Sequence, residues 1–454
     1  MPIPRPTFDS SPHPIMKEQL HKLDQLSRRQ FVARAAKTAL GVSILPLGAA
    51  RTAKAAGGGK AEHCIFFYMS GGMTHMETFD PKPGTETGGK TKGISTGVAG
   101  VELAEFMPEL AKRFKDIAIV RSMTQKTGDH RGGSYWMRTS YEPRATIIHP
   151  SMGPWAQRLQ GKMHDTLPDS VVIGGGGEHP GAGFFGPALA PLPIGDPDRG
   201  VQNARPYSGV TDDLFKKRYD LMETFDDAFR RKFKNDEVSA YTQFYEETLK
   251  LMNSKDLETF DLAKEPDYEK KVQRYGNTRV GKGAMLAKRL VTSGVRFVEV
   301  VSGGWDMHND LWGSIPMTGG QLDQALASLI DDLKADGLFE KTIIAVGTEF
   351  GRTPIINANG GRDHHPRVFS TMFAGGGIVG GQVYGASDAK GIAVAENPVE
   401  AKDFNATIAH AMGLDLNQVV YSPSGRPFLV AGHTRDPQTD EIITEGHPIM
   451  PLFS

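Results

Sequence analysis

The chain has 454 residues, with 52 Lys and Arg against 53 Asp and Glu, a single cysteine and 39% hydrophobic residues. Near-balanced charge argues against a nucleic-acid binder, which would show a basic patch or a high isoelectric point. The lone Cys64 cannot form an internal disulfide, and the apolar fraction supports a sizeable core, read here as one large domain with an insertion.

The N-terminus reads as an address. Ser27-Arg28-Arg29-Gln30-Phe31-Val32 places two arginines before an apolar pair. Ala33 to Ala50 follows as a mild alanine-rich stretch interrupted by Arg34, Lys37, Gly41 and Pro46. A spanning helix needs about 20 predominantly apolar residues, so this is a poor anchor. It ends in Ala53-Lys54-Ala55, the small-x-small pattern cut by signal peptidases. Residues 1–55 are expected to be a twin-arginine signal, with the export machinery as a partner, a periplasmic or extracellular destination and no transmembrane anchor in the mature chain. Those residues hold nine basic and three acidic side chains, so 43 and 50 remain and the mature formal charge is −7. Folding before export fits the absence of disulfides.

Buried strands are predicted at Cys64 to Met69, Ile117 to Val120, Val171 to Ile173, Val295 to Val301, Thr342 to Val346 and Thr371 to Ala374, from short β-branched or aromatic runs. Helical patterns lie between several of them. The clearest is the stripe Leu322, Leu326, Leu329, Leu333, closed by Gly337 in a C-cap position. This alternation predicts an α/β fold with a mainly parallel sheet. From about 211 to 293 the sequence turns to long charged helices, with Val238, Tyr241, Tyr245, Leu249 and Met252 on one face, expected to form a solvated helical insertion on a single domain of residues 56–454.

Four polar clusters follow predicted strands, where open α/β sheets form their binding crevices. In Ser70-Gly71-Gly72-Met73-Thr74-His75, the glycines would let backbone N–H groups approach an anion, although a plain turn reads equally well. In Thr127-Gly128-Asp129-His130-Arg131-Gly132-Gly133-Ser134, Arg131 and a helix N-terminus favour an anion, Asp129 could orient His130, and Ser134 offers a hydroxyl. Simple capping by Asp129 and Ser134 is the alternative. The run Trp305-Asp306-Met307-His308-Asn309-Asp310 carries carboxylates and an imidazole at ligand spacing. The fourth cluster joins Glu349, Arg352 and Gly361-Arg362-Asp363-His364-His365-Pro366, which combine metal ligands with cations for an anionic substrate. His149, His164, His179 and His410 lack such neighbours and read as structural.

These motifs, together with Gly303-Gly304-Trp305 and Gly347-Thr348-Glu349-Phe350-Gly351-Arg352-Thr353-Pro354, resemble the family catalogued as domain of unknown function 1501 over nearly the whole chain. That twin-arginine-exported family is related to sulfatases and the alkaline phosphatase superfamily. The resemblance implies a sheet with helices on both faces and hydrolysis or transfer of sulfate or phosphate esters. It further implies a divalent ion (zinc, calcium, magnesium or manganese) held by Asp306, His308 or Asp310, and His364 or His365. Ser70 stands where an early aspartate is usual and Phe350 where a His or Asn is usual. His130 takes the nucleophile's position, and no Cys-x-Pro-x-Arg signature is present.

The expected function is therefore an exported metal-dependent ester hydrolase with a remodelled metal site. Asp306, His308, Glu349, Asp363, His364 and His365 would surround the ion. His130, Asp129, Ser134 and Arg352 would be catalytic, and Gly71, Gly72, Arg131 and Arg362 would bind an anionic small molecule or glycan. The alternative is a non-catalytic anion- or glycan-binding protein that retains the fold.

Overall fold

The computed structural model describes residues 59–175, 178–202, 204, 209–232 and 246–454. The expected signal segment, residues 1–55, and Val238, Tyr241 and Tyr245 of the expected insertion lie outside the described residues. The chain divides into two units. Within the described residues one comprises only 421–427, and the other holds the remainder, including the sheet and its helices.

An eight-stranded sheet forms from β1 (His63–Met69), β2 (Ile117–Met123), β3 (Ser170–Ile173), β4 (Leu192–Ile194), β5 (Phe297–Ser302), β6 (Thr342–Gly347), β7 (Phe369–Ala374) and β8 (Gln382–Tyr384), in the order β8-β2-β7-β6-β1-β5-β3-β4. All neighbours pair in parallel except β7, which is antiparallel to both β2 and β6. Every predicted strand is present. The two edge strands, β4 and β8, carry too little pattern to be predicted: each has three residues, and Pro193 sits mid-strand in β4, tolerable only at an edge.

Both faces of the sheet are covered. Along β1, Ile65, Phe67 and Met69 join one core, whereas Cys64, Phe66 and Tyr68 join the other, as the two-residue strand period requires. The first core takes its helical side chains mainly from α1 (Pro108–Lys112), α6 (Arg279–Thr292) and α7 (Leu311–Ala335). The second takes them from α2 (His130–Thr139), α3 (Met152–Gln160) and α8 (Ala401–Ala411). The predicted leucine stripe is the buried face of α7.

Within the charged region, α4 (Asp212–Lys232) shows mostly exposed side chains where they are described, and α5 (Tyr268–Tyr275) buries Val272 and Tyr275. The sequence expectation of a solvated surface fails for α6. Val280, Ala284, Met285, Leu286, Leu290 and Val291 are all buried there, because Gly281 and Gly283 admit close packing and its basic residues occupy the remaining stripe. Among the described residues, no helix is long and apolar enough to cross a membrane.

Candidate metal centre

Four parallel strands deliver the site. β1 runs into Ser70-Gly71-Gly72, β2 into the turn before His130, β5 into Asp306 and His308, and β6 into Thr348-Glu349-Phe350. Antiparallel β7 is preceded by His364, so all of these groups gather at the carboxyl edge of the parallel strands. Gly351–Arg352 pairs with His364–His365 as a two-residue antiparallel ribbon.

His130, Asp306 and His364 bring three ligand-type atoms within 4.8 Å of one another. His130 Nε2 lies 3.4 Å from Asp306 Oδ1, and His364 Nε2 also lies 3.4 Å from it. His308 Nε2 is 3.0 Å from Asp306 Oδ1 and 3.0 Å from His364 Nε2. Ligand bonds of about 2 Å in a tetrahedral shell place neighbouring donors about 3.3 Å apart, so these spacings have the right scale.

The outer partners fix which nitrogen faces inward. His130 Nδ1 lies 2.7 Å from Glu349 Oε1, His364 Nδ1 lies 2.7 Å from the Gly128 carbonyl, and His308 Nδ1 lies 2.8 Å from Asp363 Oδ1. Each partner is an acceptor, so each Nδ1 donates and each Nε2 turns a lone pair toward Asp306. Two imidazole lone pairs 3.0 Å apart beside a carboxylate repel unless a cation or proton lies among them. His130 Nε2 is moreover buried without a hydrogen-bond partner among the described residues. The donor set of imidazole nitrogens and carboxylate oxygen therefore fits a divalent ion such as zinc.

Local charges are consistent with this. The Glu349 hydrogen bond outweighs burial and raises the His130 pKa, a sign that the surroundings favour positive charge on that ring. Burial opposes ionisation of Asp306, but the hydrogen bond and charge of Arg352 prevail and hold it below the usual carboxylate range. Burial pushes His364 down, toward the neutral ligand form.

Several predicted residues do other work. Asp129 does not orient His130: it caps α2, accepting from Gly132 N at 2.7 Å, and Glu349 holds the imidazole instead. Ser134 accepts a hydrogen bond from Arg138, placing its hydroxyl in a buried network rather than among the ligand atoms. Arg352 is fully buried and committed to Asp306 and the carbonyls of Gly71, Gly72 and Arg362, so it orients a carboxylate and has no free edge for an anion. Arg362, equally buried, forms a bidentate pair with Glu77 and bonds the carbonyls of Thr87, Thr353 and Pro354, which rules out the expected anion contact. Arg131 remains 81% exposed, 3.7 Å from Glu178.

Gly71 and Gly72 have φ of +117° and +77°, and they make room for the protein itself. A Cβ at Gly71 would stand 2.5 Å from Asp306 N, and one at Gly72 would stand 2.9 Å from Phe350. Gly71 N donates to Glu349 at 2.7 Å instead of to an outside anion. Asp310 caps α7. His365 turns away, with Nε2 2.7 Å from the Ile392 carbonyl. Glu349 is almost fully buried behind His130 and accepts from Tyr68 Oη at 2.8 Å as well. Sequence reasoning missed Tyr68, whose only signal was its position at the end of a strand beside Glu349's own. Phe350, singled out in the sequence for standing where a ligand is usual, packs its ring 4.9 Å from that of His130 and 4.7 Å from that of His364.

The fold and site define an α/β protein with a histidine-carboxylate cluster at the carboxyl edge of a mostly parallel sheet. The chain belongs to the family described as "Protein of unknown function (DUF1501)", whose model matches residues 61–442. No curated protein matches it in sequence. Similar solved structures include the lipoteichoic acid synthase LtaP from Listeria monocytogenes (10% identity, 85% of this chain and 84% of that one, TM-score 0.35). A protein in the alkaline phosphatase superfamily from Vibrio parahaemolyticus is similar at 10% identity (90% and 88%, TM-score 0.37), and the PsFucS1 sulfatase from Pseudoalteromonas sp. at 14% (84% and 81%, TM-score 0.33).

Proposed function

We propose that the protein is a metal-dependent hydrolase of a sulfate or phosphate ester, exported by the twin-arginine pathway. The observation that carries this reading is the convergence of His130, Asp306, His308 and His364 through inward-facing Nε2 and Oδ1 atoms, each held by its own outer partner. A divalent ion held there supplies Lewis acidity toward an ester oxygen and lowers the pKa of water. The chain's own residues provide the geometry. Glu349 fixes His130, Gly128 fixes His364, Asp363 fixes His308 and Arg352 fixes Asp306. Arg131, exposed at the first turn of α2, supports charge neutralisation of an anionic substrate. Arg28-Arg29 and the Ala53-Lys54-Ala55 site support export.

The second reading, a non-catalytic anion- or glycan-binding protein, is favoured by the commitment of Arg352 and Arg362 to internal partners and of Ser134 to Arg138. One experiment separates the two. Metal content is measured on the purified protein, and turnover of aryl phosphate and aryl sulfate esters is followed in the wild type and in His364→Ala. Stoichiometric metal with turnover lost in the variant by at least roughly a hundredfold is expected. Bound metal without turnover of either ester class would leave the binding reading, and absence of stoichiometric metal sinks the hydrolase.

A further inference from the structure

A cavity of about 480 Å³ opens directly beside the centre, with Asp363 and His364 in its wall. Pro354, Ile355, Pro366 and Ile392 give it an apolar side. Ile355 is 70% exposed there, a large aliphatic surface with no protein group over it. The part of the wall that carries Ile392 is pre-formed. The Gly351–Arg352 ribbon sends His364 toward Asp306 and His365 the other way, where its hydrogen bond to the Ile392 carbonyl pins the loop. Within that loop Asp388 accepts from the amides of Lys390, Ile392 and Ala393 at 2.8–3.0 Å.

The charges in the wall are sparse. Apart from the imidazoles of His364 and His365, the only charged side chains in its lining are Asp363, already bound to His308 and Asn357, and the exposed Arg367. A polyanion finds no row of cations here, whereas a neutral apolar group finds the side chains of Pro354, Ile355, Pro366 and Ile392; volumes of about 300–1,000 Å³ suit small-molecule sites.

We infer that this cavity receives the alcohol side of the ester, and that the substrates are single-anion esters of aryl or alkyl alcohols rather than highly sulfated or phosphorylated polymers. The inference rests on the ester reading above. It is tested with the zinc-loaded, full-length protein by calorimetry, using anions that cannot be hydrolysed: phenylphosphonate against methylphosphonate for the phosphate arm, and benzenesulfonate against methanesulfonate for the sulfate arm. In at least one arm the aryl anion should bind roughly tenfold more tightly than its methyl partner. Ile355→Ser, at an exposed position that leaves the core intact, should bring the pair to within about threefold without changing the methyl anion's affinity. Equal binding of aryl and methyl anions, or an aryl preference that survives Ile355→Ser, overturns the cavity assignment and leaves the ester reading standing. If neither methyl nor aryl anions bind although zinc is stoichiometric, the ester reading itself fails and the cavity assignment falls with it.

Discussion

At the scale of single residues, Glu349 is the most demanding side chain in the site. It is nearly fully buried, yet burial is outweighed by hydrogen bonds from His130, Tyr68 and the Gly71 amide, so the carboxyl stays below its usual range. Glu349→Gln keeps the shape but removes the charge that orients the His130 ring. Loss of such an outer partner costs about 10–100-fold in metal affinity, which a competitive zinc titration reads; unchanged affinity would show that His130 is not a ligand. The pH dependence has a definite sign. Glu349 raises the folded pKa of His130, so their pairing stabilises the metal-free protein fully below the unfolded histidine value and fades as pH rises through the raised one. Protons and metal compete for Nε2, so zinc affinity should increase with pH through that window, and the midpoint should fall in Glu349→Gln. Sequence alone could gather His130, Asp306, Glu349 and His364, since each lies in a polar cluster downstream of a predicted strand. It could not separate His364 from His365, because a two-residue ribbon decides which ring faces Asp306. Nor could it foresee that Arg352 and Arg362 would be fully buried, since an arginine beside a ligand cluster reads as substrate-facing until its partners, Asp306 and Glu77, are located in space.

At the scale of elements, the sheet was legible wherever a strand was long enough to show a run of β-branched or aromatic residues, and illegible at the three-residue edges. The helix α6 misled because Arg279, Lys282, Lys288 and Arg289 give it the charged look of the region before it, while its apolar stripe, Val280, Ala284, Leu286 and Leu290, is what packs against the sheet. A feature invisible in the sequence ties α2 to β5. Arg138 bonds Glu299 Oε1 at 2.8 Å, its guanidinium lies 3.7 Å from the Tyr68 ring centroid, and His179 reaches Glu299 Oε2 at 3.1 Å. Burial opposes ionisation of Glu299, but Arg138 and His179 overcome it and lower its pKa to about 2. Removing one member of such a pair leaves a buried uncompensated charge, at a cost of about 3–5 kcal/mol. Arg138→Met should therefore lower the denaturant midpoint substantially, and Arg138→Met with Glu299→Met should recover much of the loss. A single variant as stable as the wild type would show that the pair contributes nothing to holding α2, and hence His130, against the sheet.

At the scale of the whole molecule, the protein carries buried histidines that resist charging. His75 is fully buried, with Nε2 on the Gly391 carbonyl and Nδ1 without a partner among the described residues, and burial lowers its pKa to about 4. His149, 1% exposed and stacked on Tyr141 at 4.3 Å, is also lowered to about 4, by burial first and by Arg144 and His433 next. For a depressed histidine, the stability contribution is complete above the unfolded value near 6.5 and is lost as pH falls toward 4. Asp323 acts in the opposite direction. Burial raises its pKa to about 6 although it accepts from the amides of Glu109 and Leu110, so between pH 6 and 4 the folded state keeps a proton that the unfolded state releases. For these three groups alone, two protons taken up on unfolding against one released leave a net uptake of about one, or a slope of about 1.4 kcal/mol per pH unit. The depressed His63 and His433 add to it in the same sense. Denaturant unfolding in the presence of a chelator, which removes any metal-linked contribution, should therefore show stability falling as pH drops from 6 to 4. His149→Gln should reduce that slope, and Asp323→Asn should steepen it. A stability that stays level or rises over that interval would mean that these histidines are charged in the folded protein, and the packing around His75 and Tyr141 would have to be solvated rather than dry.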